Sequence, residues 1–231
     1  MTDSNVRSNV GLVCSAMRAT NVLILVCIVA TLYALTTSTT NVENNLVFSL
    51  KNLQEGRLWT LVTAIFVHAS LLHLLGNMIF LYVFGNTLES VTSSKHMLAV
   101  FFTGGLLSFP LSLPFFPAGS TFVGASAAIF TLAAVVMLLK PLRFSWLLLM
   151  PVGLVAILYF LYNAVTVYFQ AGGQSDVAYI SHVIGFMLGV PFGLAWSPNW
   201  KKNLAISIAL LICYFVILTL VTQYVLPKLK L

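Results

Sequence analysis

The chain has 231 residues, of which 60% are hydrophobic and only 7% are charged. A water-soluble domain of this length could not cover its surface with so few charges, so the composition indicates a multi-spanning membrane protein. The net charge of +6 does not indicate nucleic-acid binding, because the eleven Lys and Arg residues are scattered and most lie beside apolar segments.

Seven apolar segments follow one another along the chain, and the length of each is close to the ~20 residues that a membrane-spanning helix needs. Their approximate bounds are 21–37, 62–88, 97–117, 121–139, 144–169, 178–196 and 204–226. Backbone polar groups in lipid must be paired internally, and these runs are continuously apolar rather than alternating, so helices are favoured over a barrel. The sequence therefore predicts an all-α membrane protein.

The second and third predicted spans need not be helical in the membrane over their whole length. We expect the lipid-embedded part of the second span to run from about His73 to Leu88. The third span ends in a stretch with Pro110, Pro114 and Pro117, which we expect to break the helix.

The basic residues predict the orientation, because Lys and Arg concentrate on the cytoplasmic side. With the N-terminus inside, the inner side holds seven of them and the outer side four. The inner set is Arg7, Arg18, Lys95, Lys140, Arg143, Lys201 and Lys202, and the outer set is Lys51, Arg57, Lys228 and Lys230. In this orientation the spans with His73, Ser126 and His182 all begin at the outer side, so these residues should share one depth.

Polar side chains inside a bilayer are costly, so they are candidates for chemistry. Ser126 lies in the segment Gly124-Ala125-Ser126-Ala127 at the head of the fourth span. There it could act as a nucleophile, with free backbone N–H groups ready to bind an oxyanion. Taken alone, the same serine could be a helix N-cap or a small packing residue.

His182, in the sixth span, could accept the serine proton as a general base. Gly185 and Gly189 follow on the same helical face and would let another helix come very close. If that helix is the fourth span, His182 and Ser126 could reach hydrogen-bonding distance, and Phe130 could pack against the imidazole. A histidine that only bonds a neighbouring helix is the structural alternative.

His73 and Asn77 lie four residues apart, hence on one helical face. Both can donate hydrogen bonds, so they suit an oxyanion hole completed by the Ser126 backbone N–H. We do not expect Asp176, in the loop before the sixth span, to orient His182.

A metal site of His68, His73 and His182 is the rival interpretation, disfavoured because no carboxylate or thiolate lies near their depth. We expect no metal and no cofactor. His68 and His96 are expected at the membrane interface, where His68 could border a water-accessible cavity.

Five segments between residues 56 and 196 form a recognisable series. They are residues 56–70, His73-Leu74-Leu75-Gly76-Asn77, the pair Gly85 and Glu89, Gly124-Ala125-Ser126-Ala127, and His182 followed by Gly185 and Gly189. In this order they resemble the rhomboid family of intramembrane serine proteases. Three positions depart from the family pattern: Ala127 replaces a glycine, Thr60 stands where many members have Arg, and Phe130 replaces a frequent Tyr.

The resemblance implies a six-helix core that cleaves transmembrane substrates without a cofactor. Ser126 would be the nucleophile and His182 the base, while His73, Asn77 and the Ser126 amide would hold the oxyanion, with Gly124 as a supporting residue. We divide the chain into a cytoplasmic segment (1–20), the six-span core (21–196) and a C-terminal part (197–231) with a linker, a seventh transmembrane helix and a short outer tail.

The resemblance and the charge distribution together predict an intramembrane serine endopeptidase of the plasma membrane, opening to the outer side. Its partners would be the lipid bilayer and transmembrane protein substrates, and no nucleic acid. The alternative is a non-catalytic rhomboid-like protein that binds or escorts membrane clients. A transporter is disfavoured because the spans carry almost no charged residues. The sequence does not predict the oligomeric state.

Overall fold

The computed structural model describes residues 18–169 and 179–225. In chain order the helices are α1 (Ala19–Thr36), α2 (Thr39–Asn45), α3 (Leu50–Gln54), α4 (Thr60–Phe66), α5 (Leu71–Val91), α6 (Ser94–Ser112), α7 (Ser126–Leu139), α8 (Val152–Phe169), α9 (Tyr179–Trp196) and α10 (Trp200–Leu220). The strands have two residues each and are β1 (Phe48–Ser49), β2 (Thr121–Phe122), β3 (Phe144–Ser145) and β4 (Met150–Pro151). A 3₁₀ turn (Leu113–Phe115) follows α6, and a π-helical turn (Val221–Val225) follows α10.

Six of these helices are long and apolar enough to cross a membrane, namely α1, α5, α6, α8, α9 and α10. The seventh apolar helix, α7, has only 14 residues. The architecture confirms the predicted all-α membrane fold, with a further helix after the six of the core.

The predicted second span, 62–88, was wrong in one respect, because it contains two helices. α4 ends at Phe66 and α5 begins only at Leu71. Ser70 marks the new start as an N-cap, since its Oγ accepts a hydrogen bond from the His73 backbone N–H at 3.1 Å. The expected lipid-embedded part, His73 to Leu88, falls within α5.

The predicted starts of the fourth and fifth spans were also wrong. The fourth was expected from residue 121, but β2 pairs there with β1 in antiparallel register and α7 starts at Ser126. The fifth was expected from residue 144, but β3 and β4 form a hairpin there and α8 starts at Val152. Both errors have one cause. The residues are apolar, which locally suggests a membrane helix, but in the structure they pair as short strands.

The helix of the third span ends within the proline-rich stretch, as predicted, but not at the first proline. Pro110 lies inside α6, and the helix continues to Ser112 before the 3₁₀ turn that contains Pro114. A membrane helix that packs against other helices tolerates a proline, because neighbouring groups can bond the backbone carbonyl that the proline leaves without a donor. The predicted start at 178 and end at 226 of the last two spans lie outside the described residues.

α7 forms the centre of the bundle, and 12 of its 14 residues are buried. α9 lies directly against it through two glycines. A methyl group on Gly185 would collide with the carbonyl oxygen of Ala127, and one on Gly189 with that of Thr131. The two backbones are therefore in contact along this face. Glycines four residues apart commonly allow membrane helices to pack this closely.

Glu89, near the end of α5, joins three helices through one carboxylate. It accepts hydrogen bonds from the backbone N–H groups of Ala19 and Thr20, at 2.8 and 3.0 Å, and from the hydroxyls of Thr20 and Ser94. A negative charge at the N-terminus of α1 is stabilised by the unpaired amides and the helix dipole. The contact fixes α1 and α6 to α5, the helix that carries His73 and Asn77.

Candidate active site

Ser126 is the first residue of α7, and the turn before it has a conformation that requires glycine. Gly124 has φ +112°, and its N–H donates to the Ala64 carbonyl at 2.8 Å. A Cβ at Gly124 would lie 2.9 Å from His73 Cε1, so the imidazole occupies the space that a side chain would need. The glycine of the serine motif thus brings the α7 turn against α4 and against His73.

Ser126 and His182 are in direct contact. Ser126 Oγ lies 2.7 Å from His182 Nε2, across the α7–α9 interface. The close approach at Gly185, one turn after His182, makes this distance possible, because a larger residue would push α9 away from α7. The geometry is that of a nucleophile hydrogen-bonded to a general base.

An aromatic stack fixes the plane of the His182 ring. The Phe130 ring lies parallel to the imidazole, with centroids 4.7 Å apart and an interplanar angle of 9°. The Tyr159 ring of α8 in turn stacks on Phe130, with ring centroids 4.8 Å apart and an interplanar angle of 6°. Phe130 therefore makes the contact that its position one turn after Ser126 suggested, and it needs no hydroxyl to do so.

The sequence analysis missed Asn163, which contacts the other nitrogen of His182. Asn163 Oδ1 lies 2.7 Å from His182 Nδ1. Only carboxylates were considered for this position, and Asp176 lies outside the described residues. Asn163 carries the only Asn, Asp, Gln or Glu side chain between residues 144 and 169, and a polar residue at such a depth is itself a functional signal.

Two hydrogen-bond donors of the site are the Ser126 backbone N–H and the Asn77 side-chain amide. The Ser126 backbone N–H opens α7 and has no acceptor within the helix. Asn77 uses one amide N–H to bond the His73 carbonyl at 2.9 Å, which leaves its second N–H available. The Asn77 side-chain oxygen is buried and has no partner among the described residues.

These groups line one cavity of about 560 Å³. His73, Asn77, Ser126, Asn163 and His182 all contribute to its wall. The rest of the wall is mostly aromatic and aliphatic, and includes Phe80, Phe109, Phe122, Ile129, Phe130, Tyr159 and Tyr162. A few convergent polar groups in a mainly apolar hollow are typical of a substrate-binding site.

His68 is buried inside the protein, whereas the prediction placed it at the membrane interface. Its side chain is 2% exposed and packs edge-on against His73, with ring centroids 5.1 Å apart. Its Nδ1 lies 3.1 Å from the Thr31 hydroxyl, and its Nε2 accepts the Ala125 N–H at 3.4 Å. His96 is exposed.

The environment keeps His68 neutral. Burial lowers its pKa to about 4, and the neighbouring His73 adds to the effect by repulsion of positive charge. The Thr31 hydroxyl donates to the Phe66 carbonyl at 3.3 Å, so its oxygen can accept the Nδ1–H of His68. That tautomer leaves Nε2 free to hold Ala125, the residue before the candidate nucleophile.

The metal alternative has no ligand set in this part of the protein. Among residues 18–169 and 179–225, no group of three or more His, Cys, Asp or Glu side chains is arranged to hold a metal ion. His182 instead uses both ring nitrogens for Ser126 and Asn163.

The fold and this site define a multi-pass membrane protein with a hydrogen-bonded Ser–His pair at an intramembrane cavity. Residues 55–199, which are well over half of the chain, match the Rhomboid domain. The chain belongs to the rhomboid family, and the predicted family is confirmed.

Two relatives show the same affiliation over shorter segments. The chain is similar to RHOMBOID-like protein 12, mitochondrial, of Arabidopsis thaliana, with 38% identity over 63 residues, or 27% of this chain and 19% of the relative. It is also similar to Rhomboid-like protease 2 of Toxoplasma gondii, with 35% identity over 80 residues, or 35% of this chain and 28% of the relative. The chain thus matches less than a third of the length of either relative.

Proposed function

We propose that this protein is an intramembrane serine endopeptidase that cleaves transmembrane protein substrates. Ser126 is the nucleophile and His182 the general base. The observation that carries the proposal is the 2.7 Å hydrogen bond between Ser126 Oγ and His182 Nε2. The aromatic stack on His182 and the donors around Ser126 support it, because a serine that only packs two helices together needs neither.

In the first step Ser126 Oγ attacks the carbonyl carbon of the scissile peptide bond. The hydroxyl proton passes to His182 Nε2, and the carbonyl oxygen becomes an oxyanion. The Ser126 backbone N–H, the free N–H of Asn77 and the His73 imidazole are the donors for this oxyanion. Preorganised donors of this kind contribute on the order of 10²–10³-fold in rate each.

In the second step the protonated His182 gives its proton to the leaving amine nitrogen, and the C–N bond breaks. The acyl group remains as an ester on Ser126. A water molecule in the cavity then attacks the ester carbonyl while His182 accepts its proton, and the proton returns to Ser126 Oγ as the acid product leaves. All atoms and protons are accounted for without a cofactor.

The position of the cavity supports this substrate class. Its wall is built from helices that cross the membrane, and its lining is mostly apolar. A substrate helix would enter laterally and unwind locally, because a peptide carbonyl that is hydrogen-bonded in a helix cannot be attacked. We expect cleavage at a small residue with helix-breaking neighbours, as in the family.

The distribution of Lys and Arg supports one orientation in the membrane. We propose that the N-terminus is cytoplasmic, that the protein resides in the plasma membrane, and that the site opens toward the outer side. Cleavage would then fall near the outer end of the substrate span.

The experiment uses the purified full chain, a fluorescent fluorophosphonate and a transmembrane substrate in liposomes. The wild-type protein should be labelled and should cleave, while Ser126→Ala and His182→Ala should lose both properties. Ser207→Ala is the matched control, because Ser207 is a buried helix serine remote from the cavity, bonded to the Asn203 carbonyl. Cleavage that survives Ser126→Ala would overturn the mechanism, and substrate binding without labelling or cleavage would indicate a non-catalytic client-binding protein.

A further inference from the structure

Asn163 lies between two helices with both ends of its amide engaged. Its side chain is 2% exposed, on the inner face of α8. The amide nitrogen donates to the Tyr159 carbonyl one turn earlier at 2.7 Å, and the amide oxygen lies 2.7 Å from His182 Nδ1 on α9.

The Tyr159 carbonyl determines which way the amide faces. In the reverse orientation Asn163 Oδ1 would lie against the carbonyl oxygen, and two acceptors would face each other in a buried place. Such a pair loses the Tyr159 hydrogen bond and gains repulsion. The oxygen of the amide must therefore face His182.

The amide oxygen in turn determines the tautomer of the imidazole. A neutral histidine carries one ring proton, and an amide oxygen can only accept. His182 must then carry its proton on Nδ1, which leaves the Nε2 lone pair directed at the Ser126 hydroxyl. In the other tautomer Nδ1 and Oδ1 would be two acceptors 2.7 Å apart, and Nε2 could not take the serine proton.

We propose that Asn163 is a positioning residue that holds His182 in the tautomer and orientation needed to deprotonate Ser126. The inference rests on the proposed function, and it adds a third member to the Ser–His pair. The Phe130 ring limits tilt of the imidazole plane, while Asn163 limits rotation within that plane. An amide suits this depth because an ionised carboxylate would be costly there, and Cys–His–Asn proteases show that an amide can fill the third place.

The first test compares Asn163→Ala with Thr166→Ala in the full chain. Thr166 lies one turn later on α8, is only partly buried and also bonds the carbonyl four residues before it, at 2.7 Å, so it is a matched control. We expect Asn163→Ala to lower kcat about 10- to 100-fold with KM within about twofold, since Tyr159 and His182 already engage both ends of the Asn163 amide. Thr166→Ala should keep both constants. A kcat within about threefold of wild type in Asn163→Ala would overturn the inference.

A second variant separates positioning from a structural role. Asn163→Asp keeps an acceptor at the same place but adds a negative charge, which stabilises the imidazolium. We expect partial recovery of kcat relative to Asn163→Ala, together with a shift of the acidic limb of the pH–rate profile to higher pH. An acidic limb that does not move would contradict a contact between this side chain and the base.

A measurement on the wild-type protein avoids the risk that a variant fails to fold. Nitrogen-15 NMR of histidine-labelled protein, assigned by comparison with His182→Ala, reports which ring nitrogen of His182 is protonated. The Nδ1–H form is expected, and a predominant Nε2–H form would overturn the inference. A wild-type protein that cleaves through Ser126 but shows the Nε2–H form removes only the role of Asn163, whereas cleavage that survives Ser126→Ala removes the proposed function itself.

Discussion

α7 and α10 are both continuously apolar, yet they have opposite relations to the rest of the protein. α7 has 14 residues, about 21 Å at 1.5 Å per residue, which is short of a bilayer core of about 30 Å. Twelve of its residues are buried, whereas Ser207 is the only buried residue of the 21 in α10. One helix is surrounded by protein, and the other is mostly exposed on the outside of the helix bundle.

This difference shows why the candidate nucleophile begins a short, enclosed helix. A helix that need not span the bilayer can start below the surface, and its unpaired N–H groups then face a cavity rather than lipid. The helices around α7 supply the other groups: His73 and Asn77 from α5, Asn163 from α8 and His182 from α9. A helix such as α10 has no enclosed end of this kind among its described residues.

The largest expected effect comes from separating α7 from α9. A methyl group at Gly185 meets the backbone of Ala127, which cannot rotate away as a side chain could. We expect Gly185→Ala to widen the interface and to lower cleavage by at least about 100-fold, because a misplacement of about 1 Å between reacting groups can cost that much. The rate is measured with the transmembrane substrate in liposomes.

The control is Gly119→Ala, in the exposed segment before β2, where an added Cβ has no atom within 4 Å. It should cleave at the wild-type rate. If Gly185→Ala also retained more than about a third of that rate, the tight α7–α9 contact would not be what sets the Ser126–His182 distance.

The sequence predicted the helices better than the segments between them. Hydropathy alone indicated seven spans, because lipid leaves few alternatives to a helix. It could not show that residues 48–49 pair with 121–122, since neither segment carries a strand pattern long enough to detect. The strand β2, which leads into the turn before Ser126, therefore pairs with residues more than 70 positions away.

The candidate site shows the same limit at the level of single side chains. Ser126, His182, His73 and Asn77 stand out because they are polar groups with recognisable spacing. Asn163 has no such spacing, and its partner His182 lies 19 residues away. The burial of His68 could not be predicted from the sequence, because its partners, Thr31 and Ala125, come from two distant segments.

A smaller effect, and one that depends on pH, is expected at His68. Its pKa is about 4 in the folded protein against an ordinary value of 6.5, so the unfolded chain binds a proton more readily. The contribution of His68 to the free energy of unfolding is complete above pH 6.5. It is lost as the pH falls toward 4, by about 3 kcal/mol in total. His68→Gln should remove this part of the pH dependence, as measured by unfolding midpoints in detergent between pH 7 and 4.

His96→Gln serves as the control, because His96 is an exposed histidine on α6. Its unfolding midpoint should follow that of the wild-type protein across the same pH range. An unchanged slope in His68→Gln would mean that His68 is not the buried group that loses stability in acid.

The smallest expected effects concern α10 and divide that helix into two faces. Asn203 is its main polar tie to the core, because its amide nitrogen bonds the carbonyls of Leu138 and Leu139, at 2.7 and 3.2 Å, at the end of α7. We expect Asn203→Ala to lower the free energy of unfolding by about 1–2 kcal/mol, since two C-terminal carbonyls lose their partner.

Ile212 on the same helix is 59% exposed, and Ile212→Ala should change stability by less than about 0.5 kcal/mol because no packed cavity is created. Both variants should cleave within about twofold of the wild-type rate, because neither residue contacts the cavity. If Ile212→Ala were as destabilising as Asn203→Ala, the exposed face of α10 would be covered by protein rather than lipid. In that case α10 would be exposed only in the isolated chain, and in the membrane it would be covered by protein as α7 is.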